Sequence, residues 1–359
     1  MIKFYHKHLL KNYLDSLFQV SIIFFCLVFI LNVFEEVTFF KNTDTSFAYP
    51  LFITFLNTPS VFFEISPFIF FISTQFFFIN LINKNELTIY KYYGFDNFKL
   101  ISLICSYSLI IGIIFILFFY NLSSQLKFLY LDLKNDYTED NKYLAMVTDN
   151  GLWIKDETDN FINIINADKI DNNYLINVSI IQFDNDFNFI RSINSKTADI
   201  KDAIWVINDA NISSADKNNQ IVATEYFKTN FNLKKISELY SDLGSLTLWS
   251  LEKLKDDYKK LGYSTLDVKI HQQKIYSYVL YFAIMTVLSS ILMLNVGYNK
   301  SKIFHIIIGI LLSVIIYYMN FFLKTLGESQ KIPYLIAVWL PLVILSIVSL
   351  IGLVRINEK

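Results

Sequence analysis

Five stretches of this chain carry no Asp, Glu, Lys or Arg: Leu17–Phe34, Leu100–Tyr120, Ile275–Asn299, Ile303–Leu323 and Ile332–Val354. Each is long enough to cross about 30 Å of hydrocarbon, which takes around 20 apolar residues. A sixth, Thr45–Asn83, is interrupted only by Glu64. Inside a bilayer every backbone N–H and C=O must be paired within the protein, so runs of this length predict helices. Asn57-Thr58-Pro59 predicts a boundary in the sixth stretch, because turn-forming residues precede a proline pre-set for a helix start. Ser46–Asn57 then reads as an interfacial segment and Pro59–Ile82 as one helix. The expectation is six spans. Composition agrees: the chain is 54% hydrophobic and only 18% charged, where soluble domains carry about 25% charge. The leading run exceeds a signal-peptide core and is followed by Glu35-Glu36 instead of a small-residue cleavage site, so it is expected to remain.

Basic residues orient the spans. Ten Lys or Arg flank one side: Lys3, Lys7, Lys11, Lys84, Lys91, Lys99, Lys300, Lys302, Arg355 and Lys359. Three flank the other: Lys41, Lys324 and Lys331. Both termini are therefore expected in the cytoplasm, and the long segment between spans three and four on the opposite side.

That segment, residues 127–267, separates helices at 1–126 from helices at 268–359. It is polar, with acidic residues in excess, and alternates apolar and polar residues in short runs. Strands are predicted at Tyr143–Thr148, Leu152–Lys155, Phe161–Asn166, Tyr174–Phe183, Phe187–Ile193, Ala203–Ile207 and Ile221–Phe227. Turn clusters such as Asp149-Asn150-Gly151 and Asp184-Asn185-Asp186 divide them. The fold class is thus an α-helical polytopic membrane protein with an antiparallel β-sandwich or jelly roll inserted between helices 3 and 4. A short helix over 246–261, with Leu248, Leu251, Leu254 and Tyr258 on one face, leads towards span four.

Little chemistry is written in the chain itself. The net charge of −1 gives no electrostatic case for nucleic acid. Cys26 and Cys105 lie far apart in apolar runs, and His6, His8, His271 and His305 form no metal-spaced cluster, so neither a disulfide framework nor a metal site is expected. No nucleotide-binding glycine loop occurs, and no residue pair supports catalysis. His305 reads as an interfacial side chain reaching headgroups rather than a proton relay. Glu64 is either a solvated helix end or a polar group lining an internal cavity. Lys41, Lys127, His271, Lys274 and Lys324 fall near the outer ends of spans, where they are candidates to hold lipid phosphates. Snorkelling anchors are the competing reading. Between spans two and three, a helix is predicted over Asn83–Phe98. Asn83 and Asn85 are good caps, Glu86 suits the first turn, Leu87 and Tyr90 share a face, and Gly94 suits a left-handed stop.

Three stretches together resemble the lipopolysaccharide export permeases of the LptF/LptG family. They are Asn85-Glu86-Leu87 with Tyr93-Gly94-Phe95, then Gly151-Leu152-Trp153-Ile154-Lys155-Asp156, then Leu246–Gly262 followed by His271-Gln272-Gln273-Lys274. The G-L-W strand favours the LptG branch. The resemblance implies a permease subunit in the bacterial inner membrane with a periplasmic β domain. Its implied partners are an LptF-like permease, an LptB-like ATPase dimer, and LptC-like and LptA-like jelly-roll proteins. ATP would be hydrolysed on that other chain, no cofactor would sit on this one, and lipopolysaccharide would be the cargo. Glu86, Leu87, Tyr90 and Gly94 would form the ATPase-coupling segment, with Glu86 meeting the ATPase. At two places the resemblance departs. Asn32 and Ser60 stand where the family tends to carry basic residues, which implies a cargo head with fewer phosphates. The competing functions are an ABC permease for another lipid and a non-transporting scaffold presenting a β domain.

Overall fold

The computed structural model describes residues 4–43, 45–135, 137, 152–158, 161–171, 173–184, 186–214, 217–233, 236, 242–260, 264–295 and 301–357. It divides into two compact units: Met1–Leu126 with Leu266–Lys359, and Lys127–Thr265.

The first unit is helical. Its elements are α1 (Phe4–Phe39), α2 (Ala48–Asn83), the short α3 (Glu86–Tyr92) and α4 (Asn97–Ile114). A π-helical stretch, Phe115–Tyr120, carries α4 directly into α5 (Asn121–Asn135). After the insert come α7 (Leu266–Asn295), α8 (Lys302–Glu328) and α9 (Tyr334–Asn357). Among the described residues, six helices are long and apolar enough to cross a membrane. Apart from α2, which lies within Thr45–Asn83, they start or end beyond the apolar stretches that revealed them, because an uncharged run measures the hydrocarbon and a helix continues into its polar flanks.

The boundary expected at Asn57-Thr58-Pro59 is absent: α2 runs through both Pro59 and Pro67. Pro67 lacks the N–H that would bond the Phe63 carbonyl, and Ser66 Oγ donates to that carbonyl instead at 2.6 Å. Thr54 and Thr58 donate to the carbonyls of Pro50 and Thr54, adding bonds in the turns before Pro59, whose own missing partner is the Phe55 carbonyl. Hydroxyls of this kind re-satisfy the backbone that proline disturbs, which is how membrane helices tolerate it.

α2 and α7 are the most enclosed helices, while α1 and α8 turn most of their side chains outwards. Small polar residues join the central helices. Tyr13 of α1 meets Thr286 of α7 at 3.3 Å, Thr286 donates to Ser108 of α4 at 2.9 Å, and Ser289 donates to the Phe71 carbonyl at 2.7 Å. Such hydroxyl contacts replace the hydrophobic drive that lipid surroundings remove. Gly112 lets Phe282 approach closely, since a Cβ there would lie 2.6 Å from its ring.

The second unit carries the antiparallel β domain expected between spans three and four. Its strands are β1 (Leu152–Thr158), β2 (Phe161–Ala167), β3 (Lys169–Asp171), β4 (Tyr174–Phe183), β5 (Phe189–Asp199), β6 (Ile204–Ser214) and β7 (Lys217–Lys228). They form one sheet in the order β1-β2-β4-β5-β6-β7, with β3 pairing β4. This is a meander; the Greek-key crossings of a jelly roll do not occur among the described strands. The sheet nevertheless curls. Flat, β1 and β7 would lie about 24 Å apart at 4.8 Å per strand. Yet Asn230, just past β7, donates its amide to Asp156 of β1 at 2.9 Å. Arg191 of β5 bonds both Gln182 of β4 and Glu225 of β7, at 2.8 and 2.9 Å. Folded over, the sheet buries Trp205, Ile207, Ile180, Ile165 and Phe227 against itself, and Trp205 Nε1 donates to the Phe231 carbonyl. The strand expected at Tyr143–Thr148 lies outside the described residues, as does Gly262, the expected helix stop. α6 (Leu248–Lys260) occupies the predicted short-helix position, opened by Thr247, whose hydroxyl accepts from the Ser250 N–H.

Candidate functional site

Two places in the helical unit gather chemistry. The first is the turn between α2 and α4. The helix predicted over Asn83–Phe98 is shorter, Glu86–Tyr92. Asn85 does cap it in position, but with left-handed backbone (φ 57°) and no side-chain hydrogen bond; asparagine tolerates that region better than most residues. At the other end Gly94 has φ 80°. Its N–H bonds the Lys91 carbonyl and the Phe95 N–H bonds the Tyr90 carbonyl, both at 3.0 Å. That pair of bonds is a Schellman stop, completed by the edge-on contact of Tyr90 and Phe95. Asp96 then caps α4 by accepting from the Lys99 N–H at 2.8 Å.

Leu87 plugs this turn into a buried cluster of Leu9, Tyr13, Phe77, Phe78, Leu81, Leu100, Ile104 and Met293. Tyr90 packs on its margin. Burial, and then the Glu86 carboxylate, push the Tyr90 phenol above its ordinary range, so it stays neutral. Glu86 folds back on α1. His8 Nε2 lies 3.0 Å from its Oε2, and the Asn12 amide donates to the same oxygen at 3.3 Å. Ile89, Tyr92, Tyr93 and Phe98 are exposed around it. The turn is thus clamped beneath and apolar outside.

The second place is a cavity of about 270 Å³ between α2, α7, α8 and α9. Its walls include Phe68, Phe321, Val338 and Leu342, and its polar lining is Glu64, Lys274, Ser277, Tyr278, Tyr281, Tyr317, Asn320 and Lys324. Lys274 Nζ is 3.5 Å from Glu64 Oε1, and Lys324 Nζ is 3.2 Å from Glu328 Oε1. The Asn320 amide donates to the Tyr281 hydroxyl. At 1.5 Å per residue, Glu64, Lys274 and Lys324 lie about 28, 31 and 33 Å from the Asn83, Asn295 and Lys302 ends of their helices. All three therefore sit at one level, one hydrocarbon thickness from the end that bears the termini. Glu64 lines this cavity with a side chain that is 60% exposed, at its open side.

Of the five cations singled out in the sequence, the cavity unites Lys274 and Lys324. Lys41 is exposed in the short turn after α1, and His271 Nε2 meets the Tyr120 hydroxyl at 3.1 Å. Lys127 belongs to the second unit and pairs with Asp242 at 3.0 Å. His305 does not reach headgroups: it is buried, with Nδ1 3.0 Å from the Ser301 carbonyl. The tyrosines and Asn320 were not singled out in the sequence. A signal existed, since Lys274, Tyr278 and Tyr281, like Tyr317, Asn320 and Lys324, recur at helical spacing on otherwise apolar helices. Among the described residues, no group of three His, Cys, Asp or Glu is placed to hold a metal.

Six apolar helices with an antiparallel sheet inserted between the third and fourth define a multi-pass membrane protein. The chain belongs to the lipopolysaccharide export system permease LptF/LptG family, whose model matches residues 7–355, nearly its whole length. A search of curated proteins gave no match.

Proposed function

We propose that the chain is a permease subunit of an ATP-driven lipopolysaccharide exporter in the bacterial inner membrane, of the LptG branch. The family match over residues 7–355 supports the permease part of this reading, and the Gly151-Leu152-Trp153 stretch favours the LptG branch. Both termini and the α2–α4 turn face the cytoplasm, as the Lys and Arg distribution favours. The turn receives one subunit of an LptB-like ATPase dimer, with exposed Tyr92, Tyr93 and Phe98 as the apolar contact and Glu86 as the charged one. This chain has no nucleotide loop, so hydrolysis belongs to that partner. The outward faces of α1 and α8 suit an LptF-like permease and the acyl chains held between the two. On the periplasmic side, β1 and β7 are the edges of the sheet among the described strands, and edges accept further strands by main-chain hydrogen bonding. LptC-like and LptA-like proteins would carry the lipid onwards from there.

Mass spectrometry of the chain purified in detergent tests this reading. Lipopolysaccharide and an ATPase are expected to be retained, and a crosslinker at Ile221 on β7 is expected to capture an LptC-like or LptA-like subunit. Retention of a different lipid with an ATPase would support a permease for that lipid. Retention of neither would leave a scaffold and contradict the proposal.

A further inference from the structure

The cavity between α2, α7, α8 and α9 is charge-balanced, and that balance limits what it can hold. Two ammonium groups reach it, and each has a carboxylate beside it: Lys274 has Glu64 at 3.5 Å, and Lys324 has Glu328 at 3.2 Å. Glu64 lines the cavity itself, and its side chain is 60% exposed. A head bearing two phosphates would meet Glu64 as a like charge. A head bearing one phosphate and one ammonium would complement both signs.

We propose that this cavity binds the head of a zwitterionic lipid, with Lys274 and Lys324 on its phosphate and Glu64 on its ammonium group. Three features support it beyond charge. The charged residues share one level, about one hydrocarbon thickness from the terminus-bearing ends of the helices, where a head would lie. Phe68, Phe321, Val338 and Leu342 supply apolar wall for the glycerol and upper acyl chain. The Tyr278 hydroxyl donates to the Glu64 carbonyl and the Asn320 amide to the Tyr281 hydroxyl and the Ile316 carbonyl, which leaves the Tyr281 O–H to donate to an ester or phosphate oxygen. The weak 3.5 Å Lys274–Glu64 contact is the one the ligand divides: phosphate draws Lys274, and ammonium draws Glu64. The inference deepens the reading of the chain as a lipid permease and rests on it for the ligand being a lipid.

The test is binding of short-chain phosphatidylethanolamine and phosphatidylglycerol to the full chain, with its retained subunits, by native mass spectrometry. Phosphatidylglycerol has the phosphate and lacks the ammonium. Wild type is expected to prefer phosphatidylethanolamine, and Glu64→Gln to lower that preference by about tenfold, the effect of one charged hydrogen bond. Lys324→Gln is expected to weaken both lipids alike, whereas Glu64→Gln is expected to keep its phosphatidylglycerol binding, which separates lost head recognition from misfolding. Inorganic phosphate at equal concentration is expected to displace neither lipid. Equal binding of the two lipids by wild type, unchanged preference in Glu64→Gln, or displacement by phosphate would each overturn the proposal. Failure here with ATP-driven lipid release intact would leave the permease reading standing; loss of release alone would count against that reading and not against this site.

Discussion

Replacing Glu86 with alanine is expected to reduce ATPase occupancy on the purified protein at least tenfold and to abolish coupled lipid release, with membrane insertion unchanged. The carboxylate holds His8 and Asn12 through one oxygen. Its position in the first turn of α3 lets it present the other to a docking groove. A hydrogen bond to a charged group contributes about 1.5–3 kcal/mol, and 1.4 kcal/mol is already a factor of ten. Loss of the same group also removes the polar tie between α1 and the turn, because His8 and Asn12 lose their shared acceptor, while Leu9 and Tyr13 of α1 stay packed with Leu87. Movement of the ATPase would then reach α1 through apolar packing alone. Glu86→Gln retains an acceptor for Asn12 and loses the charge, so it is expected to fall between alanine and wild type. Full ATPase co-purification together with full transport in Glu86→Ala would show that the carboxylate only fastens α1 to the turn.

Leu87→Ala is expected to detach the turn from the helices it should move. Leu87 is buried among Leu9, Tyr13, Phe77 and Leu100, and truncating a buried leucine costs about 2–5 kcal/mol through lost burial and the cavity left behind. Gly94→Ala attacks the same turn differently. No atom lies within 4 Å of an added Cβ, but the backbone sits at φ 80°, where an L side chain costs roughly 1–2 kcal/mol. Hydrogen exchange across Glu86–Phe95 reads both variants. Protection is expected to fall most in Leu87→Ala and less in Gly94→Ala, with ATPase binding reduced in the same order. Unchanged protection in Leu87→Ala would mean the turn is held by its flanking helices alone.

Apolar runs gave away the six spans because a bilayer imposes length and satisfaction of the backbone on every crossing. The same logic erred at Pro59. A proline after Asn57-Thr58 reads as a boundary, and only the structure shows Thr54, Thr58 and Ser66 hydroxyls bonding carbonyls along the helix. In the β unit, the Tyr174–Phe183 strand was legible to the residue because it is rich in Ile, Val, Leu and aromatic residues, with alternating burial from Val178 to Phe183; the break at Asn177, whose φ is 53°, was not. β5 and β6 were predicted short, since Asn194-Ser195-Lys196 and Asp209-Ala210-Asn211 hold residues depleted in strands. Their pairing comes from main-chain bonds to neighbouring strands that sequence does not display. Gly94 was readable as a left-handed stop, because few residues other than glycine serve there. The clamp of Glu86 by His8 was not, since the partners are 78 positions apart. The cavity lay hidden for a similar reason: it draws on four helices, and no spacing within one helix reveals the others.

The most direct test of the permease reading is ATP-dependent lipid release. The chain with its co-purified subunits would be placed in vesicles containing lipopolysaccharide, and transfer to a soluble jelly-roll acceptor followed over time. Transfer is expected to require ATP, to stop in Glu86→Ala, and to leave bulk phospholipid in the vesicle. ATP hydrolysis at the wild-type rate with no lipopolysaccharide leaving the membrane would contradict it.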